Sequence, residues 1–581
     1  MSMPLVFLLA LSLIILVILL ARRRSNSPAG RKLRRPPGPP GIPFFGNLLQ
    51  YDPSNLHVRL AKLSDKYGPL MSMTLVRKPV IVISSARVAE EALKHNDLAF
   101  SSRPSFICTR KLSYNNRDIA DSPYTEYWRE MRKIVVLRLF TLKQVNSFRP
   151  ARKDEVARMV KEISRWANAH QPVNINETTL SLSSSMVSRF ALGKRYDEED
   201  RSEKRRFDRL LKQMQELTLQ IFIGDYFPWL GWIDKLSGRV SRLEKGFKDF
   251  DSFYEELIEE HLSPNRPESM NGDILDLLIQ LREDRSSSVQ IGWDHIKGVL
   301  MNVFVGGTET SAVTITWAMA AMIKKPKVLK KVQQEIRTLV EKKGSIDEDD
   351  IHTLAYFKAV VKETLRLYPP APLSARVTTK ACVVDGYHVE PDTIVYVNLW
   401  AIGRDRNFWE NPYEFLPERF LNSDVDFKGQ DFGFLPFGTG RRVCPGMALG
   451  IAEVELALAN LLYSFDWELP AGMVEDDVDM DSSPGVSVSQ KLDAKAFLLF
   501  LCTCWTIWWA RNHKVTEGEC LAPLQVSTFA ASSCQSISRI PSSWQVPPSG
   551  TVKINFDRAT FDKGAAMGIG AMARDAIVEN D

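Results

Sequence analysis

The pattern of apolar and polar positions changes character several times along the chain. Residues 3–21, MPLVFLLALSLIILVILLA, carry no charge and are about long enough to cross a ~30 Å hydrocarbon core. Seven Lys or Arg follow between Arg22 and Arg35, and then the proline-rich stretch PPGPPGIPFFGN, Pro36 to Asn47. A cleaved signal peptide has its positive charges ahead of a shorter apolar core. Here they come after it, which predicts an uncleaved anchor with the remainder of the chain in the cytosol. The prolines fix φ and predict a stiff, extended linker.

From about residue 50 to 260 charged and apolar residues recur at helical spacing, as in RPARKDEVARMVKEISRWA, Arg149 to Ala167. PLMSMTLVRKPVIVISS, Pro69 to Ser85, instead alternates and is rich in β-branched residues, which predicts a hairpin. Arg266 to Ser288 reads as a helix followed by a polar loop, and a long helix is predicted from roughly Trp293 to Ile323. Another helix stops at Pro369 and Pro370, and Ala381 to Asp405 has strand character. There is no tandem repeat. The fold class expected is mainly α with minor β sheets.

After about Leu492 the pattern breaks. Three tryptophans crowd an apolar run, and a Ser-rich stretch follows. Ala496 to Ala510 is too short for a typical membrane span. Cys502 and Cys504 lack a matching set of further ligands, so no metal site is expected there.

Composition narrows the function. The 581 residues are 44% hydrophobic and 25% charged, and a net charge of +5 is too small at this length to argue for nucleic acid. Seven cysteines are too sparse for a disulfide scaffold, so a reducing compartment is expected and the sequon at Asn176 is silent.

One cysteine stands apart. In FLPFGTGRRVCPG, Phe434 to Gly446, Cys444 lies among glycines and two arginines. A lone cysteine is by default a buried structural residue. A thiolate that ligates metal needs a positive, sheltered setting with N–H groups aimed at sulfur. Glycines 438, 440 and 446 allow tight turns and close approach to a flat cofactor, and Arg442 can pair with an anionic group. The pattern Phe437-x-x-Gly440-x-Arg442-x-Cys444-x-Gly446 has too many fixed positions for the default reading.

This loop resembles the haem-binding loop of the cytochrome P-450 superfamily, the haem-thiolate monooxygenases. The resemblance implies that Cys444 is the axial ligand of the iron of haem b, with Phe437 in the same loop and Arg442 beside a propionate. Glu309 and Thr310, in the mid-helix GGTETS, resemble the acid–alcohol pair that supplies protons for O2 activation. Two glycines there cost roughly 1 kcal/mol each relative to alanine, which a local groove would offset. Glu363 and Arg366 are three apart and share a helix face, which alone would mean a weak surface pair. The resemblance instead makes them a buried structural pair joined by Arg419 of PERF. Trp128 and Arg132 in YTEYWREMRK match the helix that touches the propionates. Arg376 is a looser match for a further propionate partner, the spacing being a residue short.

These matches occur in family order from the anchor to about Leu492. DFKGQDFGFLPFGTGRR and LANLLYSFDWELP resemble plant microsomal members, and Leu112 to Pro150 is most similar to a subgroup containing aldoxime-oxidising enzymes. The division implied is a transmembrane signal anchor at 1–21, a linker at 22–46, a catalytic domain at 47–492 and a non-family tail at 493–581. The family normally closes with a strand just past GVSVSQK, and this chain departs from it there. Trp544 to Asp575 resembles the opening strands of a ribonuclease-H-like domain, truncated at 543–581, with Asp557 in place of its first metal carboxylate. One carboxylate cannot hold two metals, so no nuclease activity follows.

What the resemblance implies is a single-pass enzyme of the endoplasmic reticulum membrane with its catalytic domain in the cytosol. It would take O2 and NADPH electrons through NADPH–cytochrome P-450 reductase, act on a small apolar substrate and bind no nucleic acid. Residues 112–122, 303–307, 371–373 and Val486 would line the pocket. Two alternatives stay open: an O2-independent haem-thiolate isomerase or dehydratase, and a non-catalytic product whose tail impairs haem loading.

Overall fold

The computed structural model describes residues 34–480, apart from 43–44, 49–54, 197–200, 219, 285–288, 341–345, 470–472 and 479. The chain divides into two compact units, Met1–Pro484 and Gly485–Asp581, and every described residue lies in the first. The apolar run at 3–21 expected to be an anchor, together with Val486, Cys502, Cys504 and the ribonuclease-H-like stretch with Asp557, lies outside the described residues.

In chain order the elements that position the site begin with strands β1 (Leu70–Leu75) and β2 (Lys78–Ile83). Helices α1 (Glu126–Ile134), α2 (Arg149–Asn168), α3 (Ile175–Leu192) and α4 (Trp293–Ile323) follow, then α5 (Pro326–Val340) and α6 (Ala355–Leu367). Strands β3 (Leu373–Val377), β4 (Cys382–Val384), β5 (Tyr387–Val389) and β6 (Ile394–Asn398) precede α7 (Met447–Ser464). Shorter helices and the amphipathic Arg201–Thr218, Arg239–Leu262 and Ile274–Glu283 complete the helical majority.

The predicted hairpin is present: β1 and β2 pair antiparallel from Leu70 opposite Ile83 to Leu75 opposite Lys78. The strand order is β1-β2-β6-β3, with β6 parallel to β2 and antiparallel to β3. β4 and β5 form a separate two-stranded ribbon. The long helix α4 begins and ends where the apolar periodicity places it, and α6 stops two residues before Pro369, which has no N–H to continue the ladder.

Helix α4 is the axis of the core. It packs along α3, α7, α6 and α5, and Ile296, Leu300, Phe304, Ile315, Ala318 and Met322 are buried on its faces. Burial of each large aliphatic or aromatic side chain contributes roughly 1.5–3 kcal/mol. Gly307 sets the closeness of one crossing, because a Cβ there would lie 2.7 Å from Val187 Cγ2 on α3. Met447–Ser464 is long and apolar enough for a membrane span by composition. Its packing against α4, α2 and α5 makes it a core helix.

Candidate active site

The cysteine loop is held open by backbone geometry. Gly440 has φ of 65°, left-handed space that a side chain disfavours, and the turn it makes lets the Cys444 N–H donate to the Phe437 carbonyl at 2.9 Å. Burial raises the Cys444 thiol, while N–H groups of Gly446 and Met447 and the guanidinium of Arg132 pull it back towards thiolate. Cys444 is only half-buried by surface yet is desolvated, as expected of a group lining an internal space. Among the described residues no three His, Cys, Asp or Glu gather to hold a metal ion. A metal carried in a macrocycle needs only the one thiolate from the chain.

Around this loop four arginines converge from separate elements. Arg442 donates to the carbonyls of Ser101 at 2.8 Å, Ser122 at 2.7 Å and Ile119 at 3.4 Å, and its guanidinium lies 3.8 Å from the Trp128 ring centroid. Trp128, buried on α1, gives its indole N–H to the Ile119 carbonyl at 2.9 Å. What it offers the site is its ring face. Arg132, one turn along α1, donates to the Val443 carbonyl. Arg376, on β3, reaches the carbonyls of Phe100 and Thr439 at 3.4 and 3.2 Å, and its Nε is buried with no hydrogen-bond partner. Arg103, which sequence reasoning missed, donates to the carbonyls of Ala120 at 3.1 Å and of Ala375.

These cations hydrogen-bond to neutral carbonyls. Burial first, then mutual repulsion, pushes Arg442 down to about 8 and Arg376 down to about 9. Such a cluster calls for a dianion that can reach an orphaned N–H. The two propionates of a haem fit that demand, and Cys444 fits its iron.

Helix α4 packs against α7, the helix that follows the cysteine loop. Gly306 and Thr310 are exposed while every other residue of α4 is buried or half-buried, and a Cβ on Gly306 would meet nothing within 4 Å. The two glycines thus act differently: Gly307 admits α3, while Gly306 borders open space. Thr310 Oγ1 donates to the Gly306 carbonyl at 2.6 Å. Burial raises the Glu309 carboxyl, so it keeps its proton to higher pH than an exposed glutamate.

Behind the site, Glu363 and Arg366 on α6 are fully buried. Arg366 forks onto both Glu363 oxygens at 2.7 and 2.8 Å, and Arg419 Nε reaches the same carboxylate at 3.0 Å. Remaining donors go to backbone carbonyls, including Gly403 at 2.6 Å and Pro412 at 2.7 Å from Arg366. The triad therefore fastens α6 to the chain around 403–419.

The family model described as Cytochrome P450 matches residues 36–494. The chain belongs to the cytochrome P450 family. This P450 is 48% identical to 6,7,8-trihydroxycoumarin synthase of Pastinaca sativa over 79% of its own length and 92% of that protein. It is 47% identical to 5-OH-xanthotoxin synthase of Ammi majus, covering 79% and 91% of the two chains. Against cytochrome P450 71A1 of Persea americana it is 45% identical, covering 77% and 89%. Among solved structures, a zebrafish cytochrome P450 with progesterone superposes with a TM-score of 0.62 at 24% identity, covering 72% of this chain and 94% of that one, which shows the shared fold. It is a P450 monooxygenase of the kind found in plant specialised metabolism, and the family implies a haem-iron cofactor, O2 and reducing equivalents.

A second buried carboxyl in this P450 went unnoticed in the sequence. Glu453, nine residues past Cys444 on α7, accepts from Ser183 Oγ at 2.6 Å and from Ser311, and burial pushes it up to about 7. Its burial beside apolar periodicity leaves no local signal. Because its folded pKa is raised, its protonated form stabilises the fold below the unfolded value near 4.5, and that contribution is lost as pH rises to about 7. Glu453→Gln should match the wild type in thermal stability at pH 4 and exceed it by about 3 kcal/mol at pH 8. Equal gains at both pH values would contradict this assignment.

Proposed function

We propose that this P450 is an endoplasmic-reticulum-anchored monooxygenase that receives NADPH electrons through NADPH–cytochrome P450 reductase and oxidises a small aromatic substrate. The observation that carries the reading is a desolvated cysteine, Cys444, in a loop around which four arginines gather, hydrogen-bonded to neutral carbonyls. Haem b held there by Cys444 would supply the redox chemistry that activates O2.

The chain's own residues do the rest. Backbone N–H groups of Gly446 and Met447 stabilise negative charge on Cys444 Sγ. Arg132, Arg376 and Arg442 would hold the propionates, with Trp128 bracing Arg442 and Phe437 flooring the loop through its carbonyl. Glu309 holds a proton at its carboxyl, and Thr310 Oγ, anchored on the Gly306 carbonyl, presents lone pairs to the open space. Glu363, Arg366 and Arg419 act structurally.

Thr310→Ala should leave haem content unchanged and lower substrate turnover by about 10²-fold, the scale of a lost proton-transfer group. Full activity in that variant would remove Thr310 from the reaction. Strict dependence on O2 and NADPH separates the monooxygenase from an isomerase.

Membrane association is supported by the apolar residues exposed at Ile221, Trp229, Trp232 and Leu236. Phe227, in the same stretch, packs edge-on against Phe45 of the proline-rich segment with ring centroids 6.2 Å apart. The proline-rich segment is thereby joined to that apolar surface. The coumarin-directed names of the relatives favour planar oxygenated aromatics as substrates, and the likeness of 112–150 to aldoxime-oxidising enzymes favours aldoximes. Spectral titration with both compound sets separates the two.

A further inference from the structure

We propose that Asn302 is a positioning residue that pins the loop 113–122 across the substrate space and so sets which molecules enter it. That space has this meaning only if the haem reading above holds. Asn302, Gly306 and Thr310 are spaced by four residues and share one face of α4, the face that opens at Gly306.

The loop itself is strained. Tyr114, Asn115 and Asn116 are consecutive residues at φ of 51°, 61° and 61°. Asparagine adopts that region far more readily than tyrosine, so the surroundings hold the turn. The holding contacts are specific. Asn302 Oδ1 accepts from the backbone N–H of Ile119 at 3.0 Å and of Ala120 at 3.1 Å. Asn302 Nδ2 donates to Asp118 Oδ2 at 3.0 Å. The amide orientation is dictated, because two N–H donors need the oxygen and a carboxylate needs the nitrogen.

Asp118 is fully buried, and the same Oδ2 also accepts from the N–H groups of Ala120 and Asp121. On the far side, the Ile119 carbonyl is taken by Trp128 and Arg442. One peptide segment is thus gripped by α4 through its N–H groups and by the arginine cluster through its carbonyl. It ties α4 to the arginine cluster. Gly298 allows this approach, since a Cβ there would lie 3.3 Å from the Arg117 carbonyl oxygen. The asparagine amide meets both demands at this reach, its oxygen accepting from two N–H groups while its nitrogen donates to a carboxylate. An aspartate at 302 would set a second carboxylate against Asp118.

The test uses the full chain. Hydrogen–deuterium exchange of peptides covering 113–124 is followed in wild type, Asn302→Asp, and Asn302→Asp with Asp118→Asn. Asn302→Asp should speed exchange there about tenfold, leaving peptides around Cys444 unchanged, and removing the second carboxylate should restore part of the protection. Asn302→Ser, too short to reach the loop, gives the same reading if the aspartate variant does not fold. Spectral titration with imidazole and 4-phenylimidazole then reads the entrance: the ratio of their Kd values should shift at least about fivefold, with haem content unchanged. Unchanged exchange in 113–124, equal loosening throughout the chain, or an unchanged Kd ratio would each overturn the proposal. A wild type without haem would overturn the reading of the site instead, and the exchange measurement would still decide the tie.

Discussion

Cys444→Ser should yield a folded protein that carries no thiolate-ligated haem and turns over no substrate. Serine preserves the size of the side chain, so the Phe437 and Gly446 contacts survive. It does not preserve the charge. The N–H groups of Gly446 and Met447 and the Arg132 guanidinium favour a thiolate against the cost of burial. They fall far short of ionising a hydroxyl. The readouts are haem per polypeptide, circular dichroism and turnover. Retained turnover in the variant would mean that Cys444 is not the ligand, whatever its neighbours.

Glu363→Ala should cost about 3–5 kcal/mol of folding stability, a large share of the 5–15 kcal/mol of a whole domain. Removing the carboxylate leaves Arg366, which is 1% exposed, and Arg419 without their counter-ion. It also strips the acceptor from the Leu416 N–H, at 2.8 Å. Carbonyls of Gly403, Pro412 and Glu414 still bind Arg366, but they carry no net charge. By contrast, breaking the exposed pair of Arg158 and Asp154, with side chains 51% and 44% accessible, should cost under about 1 kcal/mol. Denaturant midpoints of the two variants measure the difference. A Glu363→Ala protein within 1 kcal/mol of wild type would contradict the structural role.

Local signals carried much of the architecture. The β-branched alternation of Pro69–Ser85 places a hairpin, and the apolar period of Trp293–Ile323 bounds the central helix, because both depend on neighbours a few residues away. The cysteine loop is legible for the same reason: glycine turns and the thiol lie within thirteen residues. The parallel pairing of β2 with β6, by contrast, joins residues more than three hundred positions apart, and no periodicity encodes it. Arg419 joined the Glu363 pair through family likeness alone, since nothing in spacing links residues 56 apart. Arg103, Asn302 and Glu453 were missed because each owes its role to a partner on a distant element, Asn302 to a loop 182 and 183 residues away. The bonding of Arg442 was also beyond the sequence, as backbone carbonyls leave no mark in side-chain identity.

The central claim is that Cys444 and the arginine cluster hold a thiolate-ligated haem in the full 581-residue chain. The absorption spectrum of the expressed wild-type protein, reduced and saturated with carbon monoxide, tests it most directly. The expected result is a Soret band displaced well to the red of that given by histidine-ligated haem, stoichiometric with polypeptide. A protein that takes up no haem, or whose band lies where nitrogen ligation puts it, would contradict the account.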